Sequence, residues 1–333
     1  MATITYSAAN AQAGMYAVNA GETVLEGLER HGVAVPNSCR SGVCQSCLMQ
    51  ASAGEIPPEA QKGLKDSLKA RRYFLACACR PSGDLTIHPA EHAAQRARAV
   101  VRRIEKISCD VARVLLSYEG PFEYFPGQFV NIVRSDGLTR SYSLANLRPI
   151  TAGGEDLLEL HVRKVADGKM SMWLHDEVKP GEAVHIRGPQ GDCFYVCGQP
   201  EQPLLLAGTG TGLAPLYAIA QDALRQGHGG SIRLYHGARE AQGLYLVDEL
   251  LKLAAQHPNF LYTRCLLAGI AESGVRVGPM DQIMMADVPK LSGWRVFLCG
   301  DPGLVSTLRK KAFLAGAKMK DIYSDAFVMR ASA

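Results

Sequence analysis

Long hydrophobic runs are missing from this 333-residue chain, and so is any strong excess of charge. No apolar stretch approaches the roughly 20 residues that a membrane-spanning helix needs. The opening, MATITYSAANAQAGMYAVNA, has no basic segment leading into an apolar one, so no secretory signal is expected. The net charge is only +4, and the single basic run, RARAVVRR at 96–103, reads as the start of a strand after a linker. A nucleic-acid partner is therefore not expected. There is no internal repeat and no low-complexity tract. These absences leave a cytoplasmic, globular protein with no membrane partner, long enough for two or three cores. Structural disulfides are not expected in that compartment. Yet the chain has ten cysteines, and they must serve ligation, catalysis or simple burial.

Three of them fall within nine positions. SCRSGVCQSCLM, residues 38–49, carries Cys39, Cys44 and Cys47, and the next cysteine, Cys77, follows after 29 residues. The spacing C-x4-C-x2-C with a distant fourth cysteine is that of a plant-type [2Fe–2S] site. Two bridged irons need four converging thiolates. A tight loop can supply three, with Gly42 letting it bend, and a strand across the fold supplies the fourth. A four-thiolate zinc site is the competing reading, because tetrahedral sulfur suits either metal. Zinc sites mostly use two short pairs, whereas here the split is three plus one. Cys79 competes with Cys77 as the fourth ligand; Cys77 is preferred because in YFLACAC it follows the apolar strand most closely.

The chain divides into three patterns. Residues 1–91 read as a small α+β unit: short strands, then an amphipathic helix in GETVLEGLERHG with Val24, Leu25 and Leu28 as its stripe and Gly32 as its stop. HPAEHAAQRAR is polar, Ala-rich and aperiodic, which places a linker at 92–98. Residues 99–199 are short strands with Gly and Pro turns, such as FPGQFVNIV, LLELHVRKV and AVHIRGPQG, the pattern of an antiparallel barrel. From 200 to 333, buried strands alternate with helical sequence, as in PLLLAGTGTGLAPLYAIAQDAL and WRVFLCG, the pattern of an α/β parallel sheet.

The first part resembles the plant-type ferredoxin (β-grasp) domain, which implies Cys39, Cys44, Cys47 and Cys77 as cluster ligands. One departure stands out. The family usually has glycine directly after the second loop cysteine, and this chain has Gln45. In the second part, TRSYSLAN at 139–146 and HVRKVADGKMSMWL resemble the flavin domain of the ferredoxin–NADP reductase family. The resemblance implies that Arg140 pairs with the flavin pyrophosphate, Tyr142 packs on the isoalloxazine and Ser143 lies near N5. It also implies a pyrophosphate site at Gly168, Lys169, Met170 and Ser171, and flavin contact through the backbone of His161, whose imidazole receives no role. In the third part, the loop Gly208-Thr209-Gly210-Thr211-Gly212 is weak evidence alone, being a tight strand-to-helix turn without the full dinucleotide fingerprint. With CGDPGLV it resembles the family's nicotinamide domain. Gly208 to Gly212 then approach a phosphate, and Cys299, Gly300 and Asp301 sit beside the nicotinamide. The ending DIYSDAFVMR places Asp325 and Phe327 loosely where the family has an acid and an aromatic near the flavin.

All three resemblances in this order point to the reductase component of bacterial multicomponent oxygenases. They imply FAD, a [2Fe–2S] cluster and NADH, with NADPH possible. The implied partner is a terminal oxygenase, an aromatic-ring-hydroxylating one first, docking at basic residues near the cluster (Arg40, Lys62, Lys65, Lys69, Arg71, Arg72, Arg80). A di-iron monooxygenase or a deoxysugar dehydratase is the alternative acceptor, and a non-enzymatic zinc module the remote one. Arg239, after the strand IRLYHGA, could meet the extra 2′-phosphate of NADPH, but Glu240 beside it would oppose that phosphate, and the balance favours NADH.

Overall fold

The computed structural model describes residues 2–7, 13–37, 39–42, 45–90, 95–148, 156–270 and 273–328. The chain separates into two compact units, 1–94 and 95–333, each described by itself.

The first unit begins with a hairpin, β1 (Ala2–Tyr6) and β2 (Gly14–Val18). Helix α1 (Val24–Arg30) follows, and then β3 (Leu48–Ala53), α2 (Asp66–Ala70), β4 (Tyr73–Leu75) and β5 (Leu85–Pro89). The strands form one mixed sheet in the order β2-β1-β5-β3-β4, with β1 and β5 parallel. Helix α1 starts where the sequence predicts because Thr23 and Glu26 cap each other. Thr23 Oγ1 accepts from the Glu26 amide at 3.2 Å, and Glu26 Oε2 accepts from the Thr23 amide at 2.8 Å. The predicted stripe of Val24, Leu25 and Leu28 is buried on the sheet with Ile4, Phe74 and Ile87. Cys79 belongs to this core, fully buried.

The second unit opens with the barrel: β6 (Gln95–Lys106), β7 (Val111–Tyr118), β8 (Phe129–Val133), β9 (Thr139–Ser143), β10 (Leu157–Arg163) and β11 (Ala183–Gln190). They pair in the order β10-β7-β6-β11-β8-β9, and a bridge between Leu144 and Leu160 brings the last strand back to the first. Strand β6 begins earlier than the sequence reading placed it. Residues 95–98, expected in the linker, already pair with β11, with Ala97 opposite Ile186. Alternation explains this: Ala97, Ala99 and Val101 turn to the barrel core while Arg98 and Arg102 face out.

The rest of the same unit is a wholly parallel sheet ordered β15-β14-β13-β12-β16-β17. Its strands are β12 (Leu204–Thr209), β13 (Ile232–Ala238), β14 (Phe260–Leu266), β15 (Val275–Val277), β16 (Arg295–Gly300) and β17 (Ile322–Ala326). Helices cover both faces, as near-continuous apolar strands require. Helix α4 (Leu213–Arg225) leaves the glycine-rich turn, with Pro215 in its first turn as expected. No helix among the described residues is long and apolar enough to cross a membrane.

Candidate functional site

The cysteine loop connects α1 to β3. Arg40, Gly42 and Gln45 all have positive φ (52°, 78° and 60°), so the backbone coils tightly through the segment. The amide of Ser41 points back at Cys39 Sγ, 3.5 Å away, the donor direction a thiolate accepts. Cys47, directly before β3, is buried, and its thiol meets that of Cys77 in the turn after β4. Burial and this neighbour push the Cys47 thiol up to about 11. A metal that replaces the protons removes that cost, so the donor set fits a soft metal centre. Cys79 is sealed in the core, and burial alone holds its thiol at about 12. Cys44 lies outside the described residues.

Gln45 explains the family's preference for glycine. It is exposed and left-handed, a conformation that costs a residue with a Cβ roughly 1 kcal/mol. Gln45→Gly is expected to slow the loss of visible absorbance on mild heating, because the loop is relieved without touching a thiol. An unchanged or faster loss counts against the strain argument.

In the second unit the candidate residues gather where β9 meets the C-terminal ends of β16 and β17. Ser143 ends β9, and its hydroxyl donates to Asp325 Oδ2 at 3.1 Å. Asp325 is the register partner of Cys299 in the parallel β16–β17 pair, and Gly208 flanks Cys299 on the other side. Burial raises the Asp325 carboxyl to about 6, opposed by the Ser143 hydrogen bond. The amide of Phe327 donates to Gly300 O at 2.8 Å, which lays Phe327 beside the end of β16. Asp325 matches the family motif only loosely, and its register makes it central.

Two backbone turns pack face to face here. A Cβ on Gly212 would stand 2.4 Å from the carbonyl oxygen of Cys299, so only glycine permits the approach. Asp301 caps the helix that follows, Pro302–Leu314, by accepting from the Leu304 amide at 2.9 Å, while its own amide reaches Thr209 Oγ1 at 3.5 Å. Gly210 to Gly212 form a single 3-10 turn.

Arg140 and Tyr142 lie half-buried on β9, opposite Ile132 and Val130 of β8. Burial pushes the Tyr142 hydroxyl up, which keeps it a neutral donor. Gly168 caps α3 (Lys169–Met172), with Lys169 exposed and Met170 in the barrel core. Ser171 is not aimed outward. Its hydroxyl accepts from the Val165 amide at 3.1 Å and donates to Gly168 O at 3.1 Å, so it shapes the turn. His161 departs from expectation: its imidazole, without a role in the sequence reading, is fully buried between Glu159 Oε1 at 2.9 Å and Tyr245 OH at 3.2 Å. Desolvation lowers its pKa, against the pull of Glu159. Cys193, in the loop after β11, was also missed. Its sulfur lies 3.6 Å from that of Cys299, both buried.

The basic residues near the cysteine loop are largely engaged. Arg40 Nη2 reaches Glu29 Oε1 at 2.6 Å, and Lys69 pairs with Asp66 at 3.4 Å. Arg72 donates to the carbonyls of Ala51 and Gly54, and Arg80 to that of Gly21.

A cysteine-loop unit, a closed flavin-type barrel and a parallel nicotinamide-type sheet together define an iron–sulfur flavoprotein oxidoreductase. Comparison with known proteins agrees. Residues 10–82 match the 2Fe-2S iron-sulfur cluster binding domain, 98–195 the oxidoreductase FAD-binding domain and 206–310 the oxidoreductase NAD-binding domain. The chain is 32% identical over 315 residues to the ferredoxin--NAD(P)(+) reductase component of a Pseudomonas putida naphthalene 1,2-dioxygenase system, covering 93% of this chain and 94% of the relative. It is 36% identical over 300 residues to the reductase subunit of an Amycolatopsis aromatic O-demethylase, covering 86% and 87%. The crystal structure of an Amycolatopsis cytochrome P450 reductase superposes with a TM-score of 0.66 at 31% identity, covering 98% of this chain and 99% of that one. The chain belongs to the family of NAD(P)H-dependent iron–sulfur flavoprotein reductases that serve multicomponent oxygenases, with domains for a [2Fe–2S] cluster, FAD and NAD.

Proposed function

We propose that the chain takes electrons from NADH and delivers them to a terminal oxygenase, an aromatic-ring-hydroxylating one first, in the cytoplasm. The observation that carries this reading is the convergence of Ser143, Asp325 and Cys299 where the barrel strand β9 meets β16 and β17. It supports a common place for a hydride donor and a flavin.

Cys39, Cys44, Cys47 and Cys77 would hold the cluster. Arg140, Tyr142, Ser143, His161 through its backbone, and Gly168 to Ser171 would hold FAD. Gly208 to Gly212, with Cys299, Gly300, Asp301 and Phe327, would hold the nicotinamide dinucleotide. When bound, flavin supplies the exchange between two-electron and one-electron chemistry, and the cluster supplies single-electron transfer. The protein's part is placement. Ser143 keeps its hydroxyl fixed by Asp325, Cys299 presents a small neutral side chain, and the Gly212–Cys299 approach brings the two loops together. Domain limits of 1–91, 99–199 and 200–333 fit these roles, with the linker shortened by the early start of β6. NADH is favoured over NADPH because Glu240, two residues past the end of β13 and held by Gln242 Nε2 at 3.1 Å, sits beside Arg239 and opposes a 2′-phosphate there.

Asp325 gives the site a pH signature. Above about pH 6 its carboxylate accepts from Ser143; below, it is protonated and can do so only as a neutral group. The rate of flavin reduction by NADH in rapid mixing is expected to inflect near pH 6, and Asp325→Asn to flatten that step. An inflection that survives in the variant removes Asp325 from it.

The acceptor docks, on this reading, at the ferredoxin unit, with Arg40 in the cysteine loop, 55% exposed, as the near charge. The deciding experiment presents purified protein and NADH with ring-hydroxylating, di-iron and dehydratase acceptors. The ring-hydroxylating oxygenase is expected to accept electrons fastest. Its rate should fall with rising salt and fall several-fold in Arg40→Glu and Arg71→Glu. A rate indifferent to salt and charge reversal removes the docking surface and leaves the electron path intact.

A further inference from the structure

Strand β10 alternates. Leu158, Leu160 and Val162 enter the barrel core, so Glu159 and His161 belong to its outer face. An outer-face residue of a barrel ordinarily meets water, yet the His161 side chain is fully buried. Tyr245, 84 positions later, covers it: the two rings meet edge to face with centroids 5.3 Å apart. Tyr245 is itself buried and lies just ahead of the helix Val247–Gln256, among the elements of the parallel sheet.

The polar atoms of this contact match in one sense only. The Glu159 carboxylate only accepts, so His161 Nε2 donates to its Oε1 at 2.9 Å. Nδ1 is then the acceptor of a neutral imidazole, and the Tyr245 hydroxyl donates to it at 3.2 Å. Behind Glu159 stands Arg113, the register partner of His161 on β7, whose Nε donates to the same Oε1 at 2.9 Å. Arg113 in turn meets Glu105 at 3.4 Å. This row holds the imidazole in one tautomer with its acceptor nitrogen aimed at Tyr245.

The contact joins the two strands' neighbourhoods that matter for the site. On the barrel side, Leu160 precedes His161 and bridges Leu144, the residue after Ser143. On the sheet side, Tyr245 packs edge-on against His236, with centroids 5.7 Å apart. His236 lies opposite Gly208, and Gly208 opposite Cys299. The His161–Tyr245 bond is thus a second directional tie between these parts, independent of the Ser143–Asp325 bond, and it restrains rotation about the first.

We propose that His161 is a positioning residue for hydride transfer: its hydrogen bond with Tyr245 clasps the barrel to the parallel sheet and fixes the nicotinamide site against the flavin site. Reacting atoms must approach within about 3–3.5 Å, so a small slip between the two parts is costly. The proposal rests on the reading of Ser143, Asp325 and Cys299 as the place of hydride transfer.

The test uses the purified full-length holoprotein as wild type, Tyr245→Phe, His161→Phe, His161→Asn and the double variant Tyr245→Phe with His161→Phe. Tyr245→Phe removes one hydroxyl and keeps both ring contacts, so it decides the question even where His161→Phe folds poorly. Anaerobic rapid mixing with NADH separates affinity from the rate of flavin reduction at saturation. That limiting rate is expected to fall about tenfold in either single variant and no further in the double one, while the dissociation constant for NADH changes less than about twofold. NADH deuterated at the transferred position should still show its full isotope effect, placing the loss in the hydride step. His161→Asn, whose amide oxygen can accept near the place of Nδ1, should recover part of the rate. Flavin content should match the wild type throughout. Thermal melting checks the clasp without turnover: the two single-variant losses should not add in the double variant. A limiting rate in Tyr245→Phe within twofold of the wild type overturns the proposal. So do additive melting losses, which would make the two side chains independent, and so does a weakened NADH affinity with the limiting rate kept. Failure of NADH to reduce the flavin of the wild type overturns the site reading and the proposal with it, and that result appears before any variant is compared.

Discussion

Cys77→Ser is expected to yield protein without a cluster, and Cys79→Ser protein that keeps it. The two residues are neighbours but one, and burial would rank Cys79 as the more constrained. The structure separates them by exposure and by partner. Cys77 is partly exposed and its thiol meets Cys47, whereas Cys79 is sealed among the apolar residues of the ferredoxin core. A thiolate in that core would pay heavily in desolvation, as its thiol at about 12 indicates. Wild type should contain about two irons and two acid-labile sulfides per chain. Cys77→Ser, like serine at Cys39, Cys44 or Cys47, should bring both near zero and bleach the visible bands owed to the cluster. Cys79→Ser should leave the iron count intact and cost about 1–3 kcal/mol in stability, since a buried hydroxyl replaces a thiol that needs no partner. Iron lost from Cys79→Ser and retained in Cys77→Ser would exchange their roles. Zinc in place of iron in the wild type would retire the electron path altogether.

Much of this architecture is written in short-range patterns. The α1 stripe, the cysteine spacing and the glycine-rich turn before α4 are local features, set by helical period, ligand count and backbone freedom. What escaped the sequence reading depends on partners far along the chain. Cys193 reads as an ordinary small residue until Cys299, 106 positions later, lies 3.6 Å from it. The imidazole of His161 acquires its setting only from Tyr245 on another element. Ser171 was read for its residue type, but the turn consumed its hydroxyl. The linker was drawn too long because Gln95 to Arg98 are polar and basic, and composition cannot show that alternate residues of such a segment enter a sheet. Gln45 runs opposite: the sequence marked it as a departure, and its φ of 60° gives the physical meaning.

Protein stripped of its cluster should still reduce ferricyanide with NADH at close to the full rate, while its reduction of cytochrome c falls at least tenfold. The expectation follows from how the chain is divided. Residues 95–333 form one compact unit that holds both the proposed flavin and nicotinamide residues, and the cysteines of the cluster loop belong to the other. The cores are likewise separate. That of the first unit runs from Ile4 to Ile87, whereas the barrel and parallel-sheet cores share no residue with it. Removing metal from Cys39, Cys44, Cys47 and Cys77 therefore leaves Ser143, Asp325, Cys299 and the Gly208–Gly212 loop undisturbed. Ferricyanide is small and accepts electrons directly from a reduced flavin, so hydride transfer alone sustains that assay. Cytochrome c is a protein that requires a one-electron donor at an accessible surface, and the cluster unit is the part of the chain built to be one. The Cys77→Ser variant supplies the material without chemical stripping, and its flavin content, measured by release and absorbance, should equal that of the wild type. If cytochrome c reduction survives at the wild-type rate, electrons leave from the flavin, and the ferredoxin unit is not on the path. If ferricyanide reduction is lost as well while flavin is retained, the two units are coupled in a way that their separate cores do not provide.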